Sequence, residues 1–229
     1  FPFTPKSLFG CRFGDDYIPR CISPFIGADA YCAVIASEMV KTDEPSLLID
    51  LGTNAEIVLW DGKRLLCTSA AAGPCFEGYG LSRGMGAADG AISKAFIANG
   101  RICYETIGQK PPVGFCGSGI TDVIAALLDL GEIAETGLSE NDIYIGSVPL
   151  TQDDIRQIQT AKAAVAAGIE ILCGKSDSKP KKLYIAGGFG SSLNPKSAAR
   201  IGLIPKELSE NCVQLGNAAA AGAQMMLLD

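Results

Sequence analysis

Apolar runs in this chain alternate with short polar or glycine turns, and one such series predicts a meander of strands. Leu47, Leu48 and Ile49 form a buried run, Gly52-Thr53-Asn54 interrupts it, and a second apolar run follows at residues 57–59. An apolar run, a short polar turn and a second apolar run are typical of a β-hairpin. A third strand at residues 64–68 would extend the hairpin into an antiparallel meander.

The clearest helical spacing begins at Thr151 and continues to about Leu172. Thr151 and Asp154 fit a capping box at its start, and apolar residues then recur at steps of three and four. Lys162 falls inside this apolar stripe. A lysine there usually extends its amine to solvent, but at the edge of a ligand cleft it can contact a ribose or phosphate oxygen. Both interpretations stay open.

The remaining pattern predicts further elements on both sides of these two. They are a proline- and aromatic-rich extended lead-in at 1–24, a helix from Gly27 to about Val40, a hairpin across Asn99-Gly100 within 87–107, a helix within 113–133, a short helix at 194–201, a strand at 212–215 and a final helix starting at Gly216-Asn217. The order is a three-strand antiparallel meander followed by alternating parallel strands and helices. We therefore predict an α/β fold of the ribonuclease-H-like type.

Two glycine turns carry the candidate chemistry, and the first is the turn of the meander. Gly52 tolerates positive φ, while Thr53 and Asn54 add donors beside exposed N–H groups that can bind an anion. Asp50, at the end of the strand, could hold Mg²⁺, usually through water, against the phosphates of a ligand. The alternative is an ordinary hairpin with local Asx bonding.

The second turn, Gly187-Gly188, follows the apolar strand 183–185 and precedes a helix opened by Asn194-Pro195. Two glycines after a strand allow a base or ribose to lie flat on the main chain, because any side chain there would collide with it. A tight strand-to-helix connection is the alternative. Two such turns in one chain favour a single phosphate-bearing ligand bound between them.

A third glycine segment, Gly117-Ser118-Gly119, precedes a predicted helix. It could form a second phosphate-facing helix N-terminus, or it could be a simple helix start with Ser118 as N-cap. Cys116 next to it is a weak candidate nucleophile, because no histidine is present to activate it.

Composition excludes several classes of function. The 229 residues are 48% hydrophobic with a net charge of −6, and the only basic cluster is at residues 179–182, so we expect a globular protein that does not bind nucleic acid. No apolar stretch approaches the roughly 20 residues of a membrane helix, so we expect no membrane association and a cytoplasmic location.

The absence of histidine removes Ser-His-Asp, Cys-His and His-metal sites. Nine scattered cysteines without a CxxC pair indicate reduced thiols and no iron–sulfur cluster in this chain.

The motifs DLGTN, IAGGFG and GNAAAAGA resemble those of the ATPase superfamily of actin, sugar kinases and heat-shock chaperones. Within it, these motifs with AAGPCFEGYG, GFCGSGITDVI, LTQDDIRQIQTAKAAVAAGI and IGLIP resemble the C-terminal domain of reductive activators of corrinoid proteins. The resemblance covers nearly all of residues 25–228. It implies that residues 25–229 form one actin-like ATPase lobe, the second lobe of a two-lobe site.

The resemblance also implies a role for specific residues. Asp50, Gly52, Thr53 and Asn54 match the second phosphate hairpin, Gly187 and Gly188 the adenosine loop, and Asn217 the start of the closing helix. Glu56 and Glu77 match acidic family positions without an assigned role. With Asp50 as the magnesium ligand, Asp50 and Glu56 are the catalytic candidates, and Glu56 could act as a general base.

What the resemblance implies for function is the nucleotide-binding lobe of an ATP-dependent reductive activator, with ATP and Mg²⁺ as cofactors. Such activators help return inactive Co(II) corrinoid to Co(I), and complete members carry an upstream [2Fe-2S] domain. The partner would be a corrinoid protein of a methyltransferase system, and a homodimer is left open.

The alternative is a non-catalytic docking module for a corrinoid or methyltransferase protein, because this chain supplies about half of a nucleotide site. A sugar or acyl kinase ranks last, since no acceptor pocket is recognisable.

Overall fold

The structure is a computed structural model that describes residues 11–13, 16–18, 21–22 and 26–228, with side chains from residue 21 onwards. The strands are β1 Cys11–Phe13, β2 Asp16–Ile18, β3 Ser46–Leu51, β4 Ala55–Trp60, β5 Leu65–Ala70, β6 Ala91–Ala98, β7 Arg101–Thr106, β8 Gly114–Phe115, β9 Ile143–Ile145, β10 Val148–Leu150, β11 Lys182–Ala186 and β12 Cys212–Gly216. The α-helices are α1 Ala28–Ser37, α2 Gly117–Leu130, α3 Gln152–Cys173, α4 Pro195–Arg200 and α5 Ala218–Leu228.

The central sheet has five strands in the order β12-β11-β3-β4-β5. Strands β3, β4 and β5 form an antiparallel meander, β11 lies parallel to β3, and β12 lies parallel to β11. A meander extended by parallel strands is the predicted order, so the predicted fold class is confirmed.

Helices cover both faces of this sheet, which explains the continuous apolar run in β3. Leu47 and Ile49 pack into a large core with α2 and α3, whereas Leu48 packs into a second core with α1 and α5. A strand buried on both faces has no polar face to alternate with. On the second face α1 and α5 pack closely against each other. Glycine at position 222 permits this, because any side chain there would collide with the carbonyl oxygen of Cys32.

A smaller sheet, in the order β7-β6-β8, packs against α2. The predicted hairpin across Asn99-Gly100 is confirmed: both residues have positive φ, 52° and 70°, as the two central residues of a type I′ turn require. The sequence did not predict β8, which is two residues long and joins by parallel pairing with β6. It also did not predict the hairpin of β9 and β10.

Helix α3 begins as predicted at a capping box. Thr151 Oγ1 accepts a hydrogen bond from the Asp154 N–H, and the Asp154 carboxylate accepts one from the Thr151 N–H. The buried stripe of α3 runs through Ala161 instead of the adjacent Lys162, which is half-buried at its edge.

Two local predictions need correction. Helix α1 ends at Ser37 and not near Val40, because Glu38 adopts a left-handed conformation (φ 53°) that an α-helix cannot continue. Helix α2 begins at Gly117 with Cys116 as its N-cap residue, so Ser118 is not the cap. Within the predicted extended lead-in, β1 and β2 pair as an antiparallel ribbon, and its other residues lie largely outside the described ranges.

Each cysteine whose side chain is described is a free thiol. Among the described residues, the longest and most apolar helices fall short of what crossing a bilayer requires.

Candidate functional site

The two predicted glycine turns lie side by side at one edge of the central sheet. Strands β3 and β11 are parallel neighbours, with Asp50 paired to Ala186, so their carboxyl ends meet. Gly187 has a φ of +91°, and a Cβ atom added there would lie 2.7 Å from Asp50 Oδ1 and 2.9 Å from the Leu51 carbonyl oxygen. Only glycine fits this contact. The structure therefore brings together the two segments that the sequence singled out.

The turn between β3 and β4 presents donors at this edge. Its own closing bond runs from the Gly52 N–H to the Asn54 carbonyl at 3.1 Å, and Thr53 and Asn54 are exposed. No N–H of Thr53 or Asn54 donates a hydrogen bond to another described residue. Exposed neighbouring amides of this kind form anion-binding concavities.

The Thr53 hydroxyl contacts a residue from a different segment. Thr53 Oγ1 donates a hydrogen bond of 2.5 Å to Glu77 Oε2, and the Thr53 carbonyl accepts one of 2.8 Å from the Gly73 N–H. Glu77 ends the 3₁₀ turn Pro74–Glu77, and its Oε1 atom is 3.9 Å from where a Cβ of Gly52 would be. Glu77 thus lies directly at the phosphate-binding candidate.

Acidic side chains surround the end of β3. Asp50 and Glu56 are cross-strand partners, and Asp29 in the first turn of α1 acts on both electrostatically. Burial, followed by the charge of Asp29, raises the pKa of Asp50 above its usual value. The same two causes, with Asp50 added, raise the pKa of Glu56, although the Ser69 hydroxyl donates to its Oε1 at 3.4 Å. A cation placed among these carboxylates would offset the cost of their burial and the repulsion between them, the two causes that raise both pKa values.

Metal binding at Asp50 would depend on ligands from outside the chain. Throughout the described ranges, no group of three or more cysteine or carboxylate side chains is arranged to hold a metal ion. Mg²⁺ usually keeps several waters and takes one or two carboxylates together with substrate phosphates. One partly buried carboxylate beside an anion-binding turn fits that requirement.

A cavity of about 630 Å³ lies next to these turns. Gly188 of the second turn lines it, whereas the first turn reaches it only through Glu77, the hydrogen-bond partner of Thr53. It lies between the segment around Glu77, the small sheet, the N-terminus of α2 and the turn that follows β11. Its lining is Phe76, Glu77, Met85, Ala87, Ser93, Lys94, Ile107, Cys116, Gly117, Ser118, Gly188, Phe189, Ser191, Ser192, Leu193 and Gln214. The predicted candidates Gly117, Ser118 and Gly188 therefore share one cavity.

Two phenylalanines form part of the wall of this cavity. The rings of Phe76 and Phe189 stack with centroids 5.1 Å apart and planes 10° from parallel. Gly117 lies against them, since a Cβ there would contact the Phe189 ring at 2.8 Å. Gly188, in contrast, faces open space, with nothing within 4 Å of a Cβ atom placed on it. The α-carbon of Gly188 is therefore open to a ligand, while the Gly188 carbonyl accepts a hydrogen bond of 2.8 Å from Ser191 Oγ.

The N-terminus of α5 lies next to the second turn. The Gly187 N–H donates to the Gly216 carbonyl at 3.0 Å, and Asn217 follows immediately, where its Oδ1 accepts from the Ala220 N–H at 3.0 Å. Asn217 thus caps α5 beside Gly187, as the motif predicts for the closing helix.

Two predicted site residues lie elsewhere. Lys162 lines a separate cavity of about 190 Å³ together with Glu135 and Arg200, so its predicted contact with a nucleotide at the glycine turns is not supported. Gly119 is fully enclosed, because a side chain there would collide with the carbonyl oxygen of Ile92 on β6. It allows α2 to pack on the small sheet and does not line the cavity.

Sequence reasoning missed several residues of this site. Glu77 lies in the motif AAGPCFEGYG, but the sequence assigned it no role. The sequence did not predict that Phe76, Phe189, Lys94 or Gln214 would line the site. The GPCFEGYG segment was a usable signal for Glu77 and Phe76. No local pattern marks Gln214, which reaches the cavity only through the pairing of β12 with β11.

Comparison with known proteins gives one consistent family. Residues 44–145 and 138–229 match the family model described as the C-terminal domain of RACo, the ASKHA domain. The corrinoid activation enzyme RamQ of Eubacterium limosum is 36% identical over a 237-residue alignment, covering 89% of this chain and 40% of that protein. The [Co(II) methylated amine-specific corrinoid protein] reductase of Methanosarcina barkeri is 30% identical over 256 residues, covering 99% of this chain and 46% of that protein.

A solved structure shares the fold. A reductive activator for a corrinoid, iron-sulfur protein superposes with a TM-score of 0.83 at 34% identity, and the match covers 93% of this chain and 38% of the activator chain. The chain thus spans less than half the length of each of these three proteins. It belongs to the family of the C-terminal, actin-like ASKHA domain of RACo, the reductive activators of corrinoid proteins.

Proposed function

We propose that this chain is the nucleotide-binding lobe of an ATP-dependent reductive activator of a corrinoid protein. The observation that carries the proposal is the meeting of the two glycine turns, with Gly187 seated against Asp50 at the carboxyl edge of the sheet. Ligands of open α/β sheets bind at this edge. The names of the relatives support the corrinoid part of the proposal.

ATP would bind along the edge of the sheet. The free amides of Thr53 and Asn54 would hold phosphate oxygens, and Asp50 would hold Mg²⁺ through water against them. The ribose or base would lie over Gly188, where no side chain blocks the main chain. The N-terminus of α5 at Asn217 adds a positive helix dipole near the same turn.

Hydrolysis would use the acidic residues around the first turn. A water would attack the γ-phosphorus while the bond to the β-phosphate oxygen breaks, which yields ADP and inorganic phosphate, and the proton of the water would pass to Glu56. A carboxylate with a raised pKa is the better proton acceptor. Glu77, hydrogen-bonded to Thr53, would orient that water or the hydrated magnesium ion.

The partner would be a corrinoid protein whose cobalt gains one electron, passing from Co(II) to Co(I). The electron would come from the [2Fe-2S] domain that the family resemblance implies upstream. ATP would supply the free energy that makes this transfer favourable.

Calorimetric titration of the full-length protein with ATP and Mg²⁺ tests the proposal, and we expect saturable binding. In a Gly188→Ala variant the affinity should fall by about tenfold or more, equivalent to about 1.4 kcal/mol, because the added methyl group would occupy the space of the ligand. Its stability to urea should stay unchanged, since the methyl group contacts no protein atom within 4 Å.

Gly174→Ala is the matched control, because Gly174 also has a conformation that alanine adopts and lies at the far end of α3. It should bind ATP as the wild type does. Absence of ATP binding by the wild type would remove the proposal. If a corrinoid protein still captured that wild type, and captured Asp50→Ala equally, the chain would be a docking module.

A further inference from the structure

We propose that Gln214 reads the nucleobase by accepting a hydrogen bond from the 6-amino group of adenine, so that the site prefers ATP to 6-oxo purine nucleotides. The inference rests on the proposed function and adds the base preference of the same site.

The position of Gln214 places it at the end of the cavity away from the phosphate turn. Glu77, which contacts Thr53, and Gln214, on the edge strand β12, both line the cavity. Strand β11 lies between β12 and β3, and the phosphate turn starts at the end of β3, two strand spacings from β12. With neighbouring strands about 4.8 Å apart, this distance is on the order of 10 to 15 Å. A nucleotide with its phosphates at Thr53 and its ribose over Gly188 would direct its base towards β12.

The orientation of the Gln214 amide is fixed by its partners. Its Nε2 donates to the Gly190 carbonyl at 2.9 Å and to the Leu193 carbonyl at 2.6 Å. Carbonyl oxygens only accept hydrogen bonds, so the NH₂ group must face them and the oxygen must face away. Both amide hydrogens are used. The Oε1 atom accepts no hydrogen bond from any described residue, and it is therefore the free polar atom of a rigidly held side chain.

A free, oriented acceptor selects for a donor on the base. Adenine presents an amino group at position 6, whereas hypoxanthine and guanine present a carbonyl oxygen there. Two facing acceptors repel each other and leave both unpaired, which penalises the 6-oxo bases. The side chain pays little entropy for this contact, because Gly190 and Leu193 already hold it.

The test compares the dissociation constants of ATP and ITP, each with Mg²⁺, for the full-length protein. ITP replaces the 6-amino group of ATP with an oxygen. We expect the wild type to bind ATP about tenfold more tightly than ITP. In Gln214→Met, which keeps the length of the side chain but lacks the amide, the ratio should fall to about one.

A structural role of Gln214 predicts a different result. Loss of its bonds to Gly190 and Leu193 would weaken ATP and ITP equally and leave their ratio unchanged. Gln224→Met, the same substitution at an exposed site on α5, should leave both affinities at wild-type values.

The outcomes separate this inference from the proposed function. If the wild type binds neither nucleotide, the proposed function fails and the base preference fails with it. If it binds ATP and ITP equally, or if Gln214→Met keeps the wild-type ratio, only the role of Gln214 is overturned. Should Gln214→Met fail to fold, Gln214→Leu takes its place, and a wild-type ratio near one still overturns the inference.

Discussion

At the scale of single residues, Asp50 lies in an environment that disfavours its own charge. It is partly buried, Glu56 lies across from it on β4, and Asp29 acts on both, so the folded chain gathers negative charge where no described basic side chain compensates it. Such an arrangement costs folding free energy, and functional sites are where proteins keep such groups. The same negative charge would attract a magnesium ion.

Replacing Asp50 by asparagine should therefore stabilise the ligand-free protein at neutral pH. The folded pKa of Asp50 is raised, so ionisation favours unfolding, and the wild type loses stability as the pH rises through that pKa. Asp50→Asn should have the higher melting temperature at pH 7, and the difference should shrink as the pH falls. Thermal unfolding followed by circular dichroism over a pH series measures both.

Asp61→Asn is the control, because folding lowers the pKa of Asp61 whereas it raises the pKa of Asp50. Hydrogen bonds from the Arg64 and Lys63 N–H groups and from the Arg64 side chain lower the pKa of Asp61, so its charge favours folding. Asp61→Asn should not raise the melting temperature at pH 7. A lower melting temperature for Asp50→Asn than for the wild type would contradict the electrostatic interpretation of this site.

At the scale of elements, the start of α3 organises a segment far from it in sequence. The Asp154 carboxylate caps its own helix through Thr151, and it also accepts hydrogen bonds of 2.6 Å from both the N–H and the hydroxyl of Ser82. Ser82 lies in the segment that follows Glu77. The helix start therefore anchors the segment that forms one wall of the cavity.

Asp154→Ala should destabilise the protein by about 2 kcal/mol, because it removes the helix cap and the buried carboxylate that accepts hydrogen bonds from Ser82 and Thr151. Burial acts to raise the pKa of Asp154, but the hydrogen bonds from Ser82 and Thr151 lower it below its usual value. This contribution to stability is present above the unfolded pKa and should be lost as the pH falls through the folded pKa. Urea unfolding at pH 7 and at acidic pH measures it.

The neighbouring Asp153 provides the control. It is exposed in the same helical turn, so Asp153→Ala should cost no more than about 1 kcal/mol through the helix dipole. Equal losses for the two variants would show that the bonds to Ser82 contribute nothing.

At the scale of the whole molecule, the chain presents its candidate ligand groups on one edge of the central sheet. Helices pack on both faces of the sheet, so the carboxyl edge with its two glycine turns is where a ligand can reach the strands. The turns follow adjacent parallel strands, and the second lines the cavity through Gly188, while Thr53 of the first contacts the cavity residue Glu77. Ligand binding there should stabilise the fold as a unit.

ATP with Mg²⁺ should raise the free energy of unfolding by about 2.7 kcal/mol at a ligand concentration one hundred times the dissociation constant. EDTA should remove most of this gain, because without the cation Asp50 would repel the phosphates. A thermal-shift series with ATP, ATP plus Mg²⁺, and ATP plus EDTA measures it. Asp50→Asn should make the shift independent of magnesium, and a wild-type shift that EDTA does not change would contradict the role of Asp50.

The sequence by itself determined the local elements and the two turns. The strand periodicity, the capping box at Thr151 and the Asn99-Gly100 turn depend on bonds between residues a few positions apart, so their signals lie in short segments. The order of these elements predicted the fold class, and the family motifs then narrowed it to the actin-like ATPase superfamily. Even β3, which is buried on both faces and shows no alternation, was predicted as a strand from its continuous apolar run.

Only the tertiary structure decided which of these pieces share a site. It paired Thr53 with Glu77, brought Gln214 to the cavity through β12, and moved Lys162 to a different cavity beside Arg200. On α3 the buried residue is Ala161 and not its neighbour Lys162. A helical period of 3.6 residues, read from the sequence, does not show which of two adjacent positions faces the core. Contacts between distant segments depend on how whole elements pack, and that packing is absent from any single stretch of sequence.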